Sequence, residues 1–195
     1  MTHKCWLTIW LSVFIAALAA AFSVSSGCSF AKRAVRVTSP ERYAEQIKKA
    51  ASEHGLDPFL VAAVVNTESS FRPDAVSSAG AQGLMQLLPS TAEWIDFRRG
   101  TQLDEGALFD PETNLDYGCW LLSFLLDRYG GNERYALIAY NAGFAKLDSW
   151  LKNPEYLGEE GDLETIPYGE TRNYVDKIKR CKEIYKENYA EALGN

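Results

Sequence analysis

Histidine is almost absent from this 195-residue chain, which has only His3 and His54. Its four cysteines, Cys5, Cys28, Cys119 and Cys181, stand far apart. No His/Cys spacing of the kind that holds zinc occurs, so no metal and no cofactor is expected. Basic residues are outnumbered: 20 Lys and Arg against 26 Asp and Glu leave a net charge of −6. A basic patch able to track a phosphate backbone is lacking, which argues against nucleic acid as a partner. Also missing is any stretch that alternates polar and apolar residues at period two, the mark of a half-buried strand. The fold class expected is therefore all-α. What the chain does have is 47% hydrophobic and 24% charged residues, ordinary proportions for a globular chain able to bury a core. Its length suits one domain and a tail.

The tail is at the front. Lys4 precedes an uncharged apolar run, Trp6 to Phe22, in the form of an export signal. With Cys5, Ser23 and Val24 counted, the run reaches about 20 residues, enough to stay in a bilayer as an anchor. Cleavage at Ala19-x-Ala21 is the second reading. Lipid attachment at Cys28 is the third, with Ser25 standing where such sites usually carry Leu. Basic residues from Lys32 to Arg36 balance Lys4, so the positive-inside rule does not choose an orientation. Residues 1–27 are assigned to a signal or membrane-anchor segment, 28–38 to a linker and 39–192 to one globular domain.

Within that domain the helices announce themselves by their starts. Ser39-Pro40 opens one that carries Tyr43, Ile47 and Ala51 on one face and stops at Gly55. Asp57-Pro58 opens the next, and Asp110-Pro111 another, whose Leu121, Leu122, Leu125 and Leu126 are core by spacing. Pro89 starts a short helix that should end near Trp94, with a loop from Phe97 to Phe109. Helices are read at Tyr135–Asn141 and Ala145–Leu151, then an acidic loop from Asn153 to Pro167. The last helix is read from Glu170 to Ala192, with Tyr174, Ile178, Cys181 and Tyr185 along one face. Cys119 and Cys181 both fall on apolar faces and read as buried thiols, with a disulfide left open.

One stretch stands apart, Glu68 to Gln86. It begins with a carboxylate at the end of the apolar run Phe59–Val65 and closes with Gly83-Leu84-Met85-Gln86. Between lie Pro73, Gly80 and four serines, poor material for a core and suitable for the floor of a cleft. Val61, Val64 and Val65 lie seven, four and three residues before Glu68, so a helix places Glu68 on their apolar stripe. Burial raises a carboxyl pKa, and a carboxyl still protonated near neutrality can donate a proton. Gly80 and Gly83 fit backbone turns that a side chain would forbid.

Four motifs occur in order: Glu68-Ser69 with Phe71; Gly83 to Gln86 with Pro89 and Thr91; Ala139 to Gly143; and Glu170-Thr171 with Tyr174-Val175. Together they resemble the soluble-type (SLT) lytic transglycosylases, relatives of the goose-type lysozymes. The resemblance covers Tyr43 to Tyr185 and implies a lysozyme-like all-α catalytic domain. It implies an enzyme that cleaves the β-1,4 bond between N-acetylmuramic acid and N-acetylglucosamine in peptidoglycan and leaves 1,6-anhydro ends.

By the same resemblance Glu68 is the catalytic acid, and the substrate-binding residues are Ser77, Met85, Gln86, Tyr140, Asn141 and Tyr174. Ser77 would bond sugar or carboxyl, or else a local turn. Gln86 offers a donor and an acceptor to an N-acetyl group. Met85 is read as core packing or as a sugar platform. The Tyr140 hydroxyl is expected near the scissile bond or Glu68, and Tyr174 shares that ambiguity. Peptidoglycan strands are the expected partner, with the membrane reached through the N-terminal segment and the domain outside the cytoplasm. A hydrolase generally needs a second carboxylate. Asp74 and Glu164 have no position the sequence can defend, and Glu170 is accounted for by the dipole of the last helix. Two alternatives remain, a lysozyme-type hydrolase and a non-catalytic wall-binding module.

Overall fold

The computed structural model describes residues 35–194. The apolar run Trp6–Phe22, its proposed fates and most of the 28–38 linker lie outside the described residues. The described part is all-α. Its helices are α1 (Ala44–Glu53, entered through a 3-10 turn at Glu41–Tyr43), α2 (Pro58–Glu68), α3 (Pro89–Arg99) and α4 (Pro111–Arg128). They continue with α5 (Glu133–Ala142), α6 (Phe144–Trp150), α7 (Gly169–Asn188) and α8 (Ala190–Leu193). Among the described residues there is no strand, only isolated bridges such as Val76 with Gln82 and Gln82 with Leu87.

Caps fix where the site-bearing helices begin. Asp57 is extended and its carboxylate accepts from the Phe59 amide at 2.9 Å, with Pro58 in the first turn. Asp110 does the same for α4, accepting from the Thr113 amide at 2.8 Å. Asn132 accepts from the Tyr135 amide at 3.1 Å, so α5 starts at Glu133, before the tyrosine the sequence pattern picks out. Each such cap contributes about 1 kcal/mol.

α2 differs from the sequence reading in a way that matters for the site. Every residue from Leu60 to Asn66 is buried, so the helix has no solvated side and no single apolar stripe. It is the central post of the domain, packed mainly along α7 and also on α1. A fully buried Val or Leu contributes roughly 1.5–3 kcal/mol each, so this run anchors the fold. Glu68 owes its position to being the last helical residue, where a buried post reaches the surface.

Three other expectations are corrected. α3 runs past Trp94 to Arg99 because its next turn is tied down: Ile95 is fully buried, and Asp96 accepts from the Tyr117 hydroxyl at 2.6 Å and the Leu103 amide at 2.9 Å. Gly100, with φ 69°, then ends it. The last helix does not run unbroken to Ala192. It stops at Asn188, and the kink at Tyr189 lets α8 turn back so that Leu193 is buried near α1. Leu126 is only half-buried. Cys119 and Cys181 are buried free thiols, both pushed up by burial.

Candidate active site

The site is built where α2 ends. Ser69, the next residue, is buried, and its hydroxyl donates to the carbonyl of Leu84 at 2.8 Å. That bond joins the start of the Glu68–Gln86 stretch to its end. Ser70 and Phe71 then take left-handed backbone with φ 53° and 62°. Neither is glycine, and such residues cost of order 1–3 kcal/mol each. Phe71 offsets the cost by burial: it stacks on Tyr43 at 6.3 Å and meets Tyr185 edge-on at 6.4 Å. The chain thereby reverses immediately after Glu68 and leaves the carboxyl at the mouth of a cleft.

A second anchor comes from α4. Asn114 is fully buried; its amide oxygen accepts from the Met85 N–H at 2.7 Å, and its NH2 donates to the carbonyls of Gln82 (2.9 Å) and Leu108 (2.8 Å). Gly83 sits against this asparagine with φ 78°, where a Cβ would come within 2.2 Å of the Asn114 side-chain nitrogen. Gln86 completes the turn at φ 51°, its NH2 donating to the carbonyls of Ala75 (3.0 Å) and Gly83 (2.9 Å).

The resulting cleft has a volume of about 270 Å³ and is lined by Glu68, Ser77, Gln86, Thr91, Tyr140 and Asn141, among others. Two of the residues singled out in the sequence do not line it. Met85 is fully buried, with its sulfur close against Gly118 of α4, so it is core and not a sugar platform. The reason is the Asn114 hydrogen bond, which turns the Met85 backbone, and so its side chain, into the domain. Tyr174 stands behind the cleft and donates its hydroxyl to Glu68 Oε1 at 2.7 Å.

The remaining four line the cleft with less freedom than their side-chain inventory promises. The Ser77 hydroxyl accepts from the Ala81 amide at 3.0 Å, closing its own turn instead of meeting the carboxyl. Gln86 has both N–H donors engaged internally, which leaves its amide oxygen for a ligand. Tyr140 donates to the Met85 carbonyl at 2.9 Å. Asn141 is exposed, and its amide oxygen accepts from the buried Thr171 hydroxyl at 2.8 Å, leaving its NH2 for the cleft.

Burial lifts Glu68 to about 7, opposed by the Tyr174 hydrogen bond and then by the charge of Lys177. Both phenols near it, Tyr140 and Tyr174, are pushed well above their usual range, first by burial and then by the carboxyl. They stay protonated donors. Of the other carboxylates weighed, Asp74 is exposed and absent from the cleft lining, Glu164 lies in a separate acidic loop groove, and Glu170 lines a neighbouring groove beside Lys146. Among the described residues lining the cleft, Glu68 is the one carboxyl. It can donate a proton near neutrality and take one back.

Asn114 and Lys177 were not singled out in the sequence, and Thr171 entered there only as a member of the fourth motif. Asn114 stands near the start of α4 among Glu112, Thr113 and Asp116, so the local pattern did not mark it. Lys177 carried a weak signal, lying three residues after Tyr174 and so on its face.

Residues 45–161 match the family described as Transglycosylase SLT domain. The chain is 31% identical over 150 residues to the soluble lytic murein transglycosylase of Escherichia coli K12, covering 75% of this chain and 23% of that protein. It is 32% identical over 167 residues to the membrane-bound lytic murein transglycosylase C of Yersinia pestis, covering 74% and 47%. Among solved structures, an inactive glutamate-to-glutamine mutant of the lytic transglycosylase Slt from Pseudomonas aeruginosa superposes with TM-score 0.69 at 34% identity, covering 77% of this chain and 25% of that one. The chain thus spans between about a quarter and a half of the length of these relatives. Over the shared part the fold is the all-α, lysozyme-like domain.

Proposed function

The chain belongs to the SLT transglycosylase family, and from that premise we propose that it cleaves the β-1,4 bond between N-acetylmuramic acid and N-acetylglucosamine in peptidoglycan without adding water. The observation that carries this reading is a single cleft carboxyl, Glu68, which burial lifts to about 7 and which accepts a hydrogen bond from the Tyr174 hydroxyl. Protonated Glu68 donates to the bridging oxygen as the bond from C1 to that oxygen breaks. The substrate's own 2-acetamido oxygen supports the cation at C1. The Glu68 carboxylate, kept in place by Tyr174, then takes the proton from the sugar's C6 hydroxyl as that oxygen bonds to C1. One bond breaks, one forms, and the proton returns to Glu68, so the reaction is an internal transfer. The C6 hydroxyl is tethered to the reacting ring, which gives it an effective concentration that water does not match.

In the Pseudomonas relative the exchange of one glutamate for glutamine gives an inactive protein, which fits a mechanism carried by a single glutamate. Ser77, Gln86, Tyr140 and Asn141 would form the walls that hold the sugar. The hydrolase alternative finds little support, since an inverting or retaining hydrolase uses two carboxylates flanking the bond. Digestion of purified peptidoglycan in ¹⁸O-labelled water tests the proposal. Unlabelled 1,6-anhydro ends are expected; labelled reducing ends as the first product would assign the chain to the lysozymes.

The substrate puts the domain outside the cytoplasm. Retention on the membrane by residues 1–27, with 28–38 as a tether for the catalytic domain at 39–192, is the arrangement proposed. Fractionation with N-terminal sequencing checks it, and a mature chain starting near Ser23 would remove the anchor.

A further inference from the structure

We propose that Lys177 of α7 is a positioning residue for Glu68, holding the last turn of α2 by its backbone while placing a positive charge beside the acid. This rests on the reading of Glu68 as the acid.

The geometry starts from α7. Tyr174 and Lys177 lie three residues apart, and on a helix that spacing puts them on one face a turn apart. That face packs on α2. Tyr174 reaches the Glu68 carboxyl, and Lys177 Nζ donates to the carbonyl of Thr67, the residue before it, at 3.3 Å. Two side chains of one helix therefore grip two consecutive residues at the end of another, 106 and 110 positions away in sequence. The Thr67 carbonyl lies in the last turn of α2, where carbonyls lack helical partners and the helix carries partial negative charge. A cation there answers both.

Lys177 differs from the other lysines of α7 that reach α2 or its neighbours. Lys182 lies 3.2 Å from Asp57 and 2.6 Å from Glu133, and Lys186 lies 3.8 Å from Asp57. Those two are paired with Asp57 at the opposite end of α2 and, for Lys182, with Glu133 at the start of α5. Lys177 is half-buried, and among the described residues no salt bridge claims it. Its charge is left to act on Glu68, which it stabilises in the ionised form.

The other groups facing Glu68 are few. α7 contributes Tyr174 and α5 contributes Tyr140, both protonated phenols. The loop contributes Ser77 and Gln86, which do not titrate. Arg72 turns its Nε to the Ser69 carbonyl at 3.1 Å. Lys177 is thus the fixed cation that opposes burial at the acid. In the catalytic cycle its charge matters after the proton has left, when Glu68 is an anion waiting to receive the C6 hydroxyl proton.

The test is the pH profile of turnover on soluble peptidoglycan fragments for Lys177→Met, Lys177→Gln and Lys177→Arg, with melting temperatures alongside. Met removes the charge and keeps the stem. Gln keeps a donor toward the Thr67 carbonyl without the charge. Arg keeps the charge. For Met and Gln the alkaline limb of kcat/KM should move to higher pH, because the acid loses the cation that favours its ionised form, while kcat falls severalfold with KM unchanged. Arg should keep the wild-type limb. A merely structural lysine would lower activity at every pH and leave the limb in place. Should Met fold poorly, Gln carries the same test. An unmoved or downward-shifted limb in a folded, uncharged variant overturns the proposal. Glu68→Gln, measured in the same assay, separates the two claims: if it retained turnover, the reading of the acid would fail first.

Discussion

At the scale of residues, the site is one carboxyl with its titration set by its surroundings. Glu68→Gln is expected to fold, bind peptidoglycan and lose turnover by at least the roughly 10²–10⁴-fold typical of acid–base assistance, as read from fragment release. The same variant has a stability signature. Glu68 is held in its protonated form by burial, so its native value of about 7 lies above the ordinary 4.5. The native state therefore binds the extra proton between these values, and stability is lost as pH rises through them. Glutamine removes that loss. Melting at pH 8 should show the variant more stable than wild type by about 1–2 kcal/mol, after allowance for cleft water, and the gain should vanish at pH 4.5. Tyr174→Phe deletes the 2.7 Å hydrogen bond that favours the ionised carboxyl. Its alkaline activity limb should rise while kcat falls, as measured on soluble fragments. Glu68, Tyr140 and Asn141 were legible in the sequence because their motifs carry them to the cleft. The burial of Met85 was not, since it follows from a hydrogen bond to Asn114, 29 residues away.

At the scale of elements, the loop from Ser69 to Leu88 is a rigid floor held by a few buried polar side chains. Asn114 alone satisfies one amide and two carbonyls there. Asn114→Ala should destabilise by about 2–4 kcal/mol, because each buried group left without a partner costs about 1–3 kcal/mol. Chemical denaturation measures it, and limited proteolysis should cut first between Ala75 and Leu88. Gly83→Ala meets two obstacles, a positive φ of 78° and a Cβ 2.3 Å from the Leu108 carbonyl. It should lose more stability than alanine at Gly80, where φ is 83° and nothing lies within 4 Å. The Asp-Pro starts of α2 and α4 were readable because capping is local, one side chain acting two or three residues on. The ends of α3 and α7 were not. They depend on Asp96 meeting Tyr117 and on Leu193 turning back toward α1, contacts that local propensity does not encode.

At the scale of the whole molecule, the core is one continuous set of buried residues from Tyr43 to Leu193, with α2 and α7 as its axis. Cys119 and Cys181 are both inside it and fully buried. Their modification by a thiol reagent should follow global unfolding, with mass spectrometry of the two peptides showing equal protection in native buffer and joint loss in denaturant. Unequal labelling would mean that α4 or α7 opens separately.

The sequence by itself determined the all-α class, the Asp-Pro helix starts, the four motifs and the carboxyl that stands at the cleft, because periodicity, caps and short motifs act over a few residues. Only the tertiary structure decided that α2 is buried on every side and that Tyr174 holds Glu68. It alone engaged the Gln86 donors internally and brought Lys177 to the end of α2. The Gln86 bonds close a turn to residues 11 and three positions back, but the other contacts pair groups as far as 106 and 110 residues apart, and such pairing is set by how helices pack, which no local pattern records.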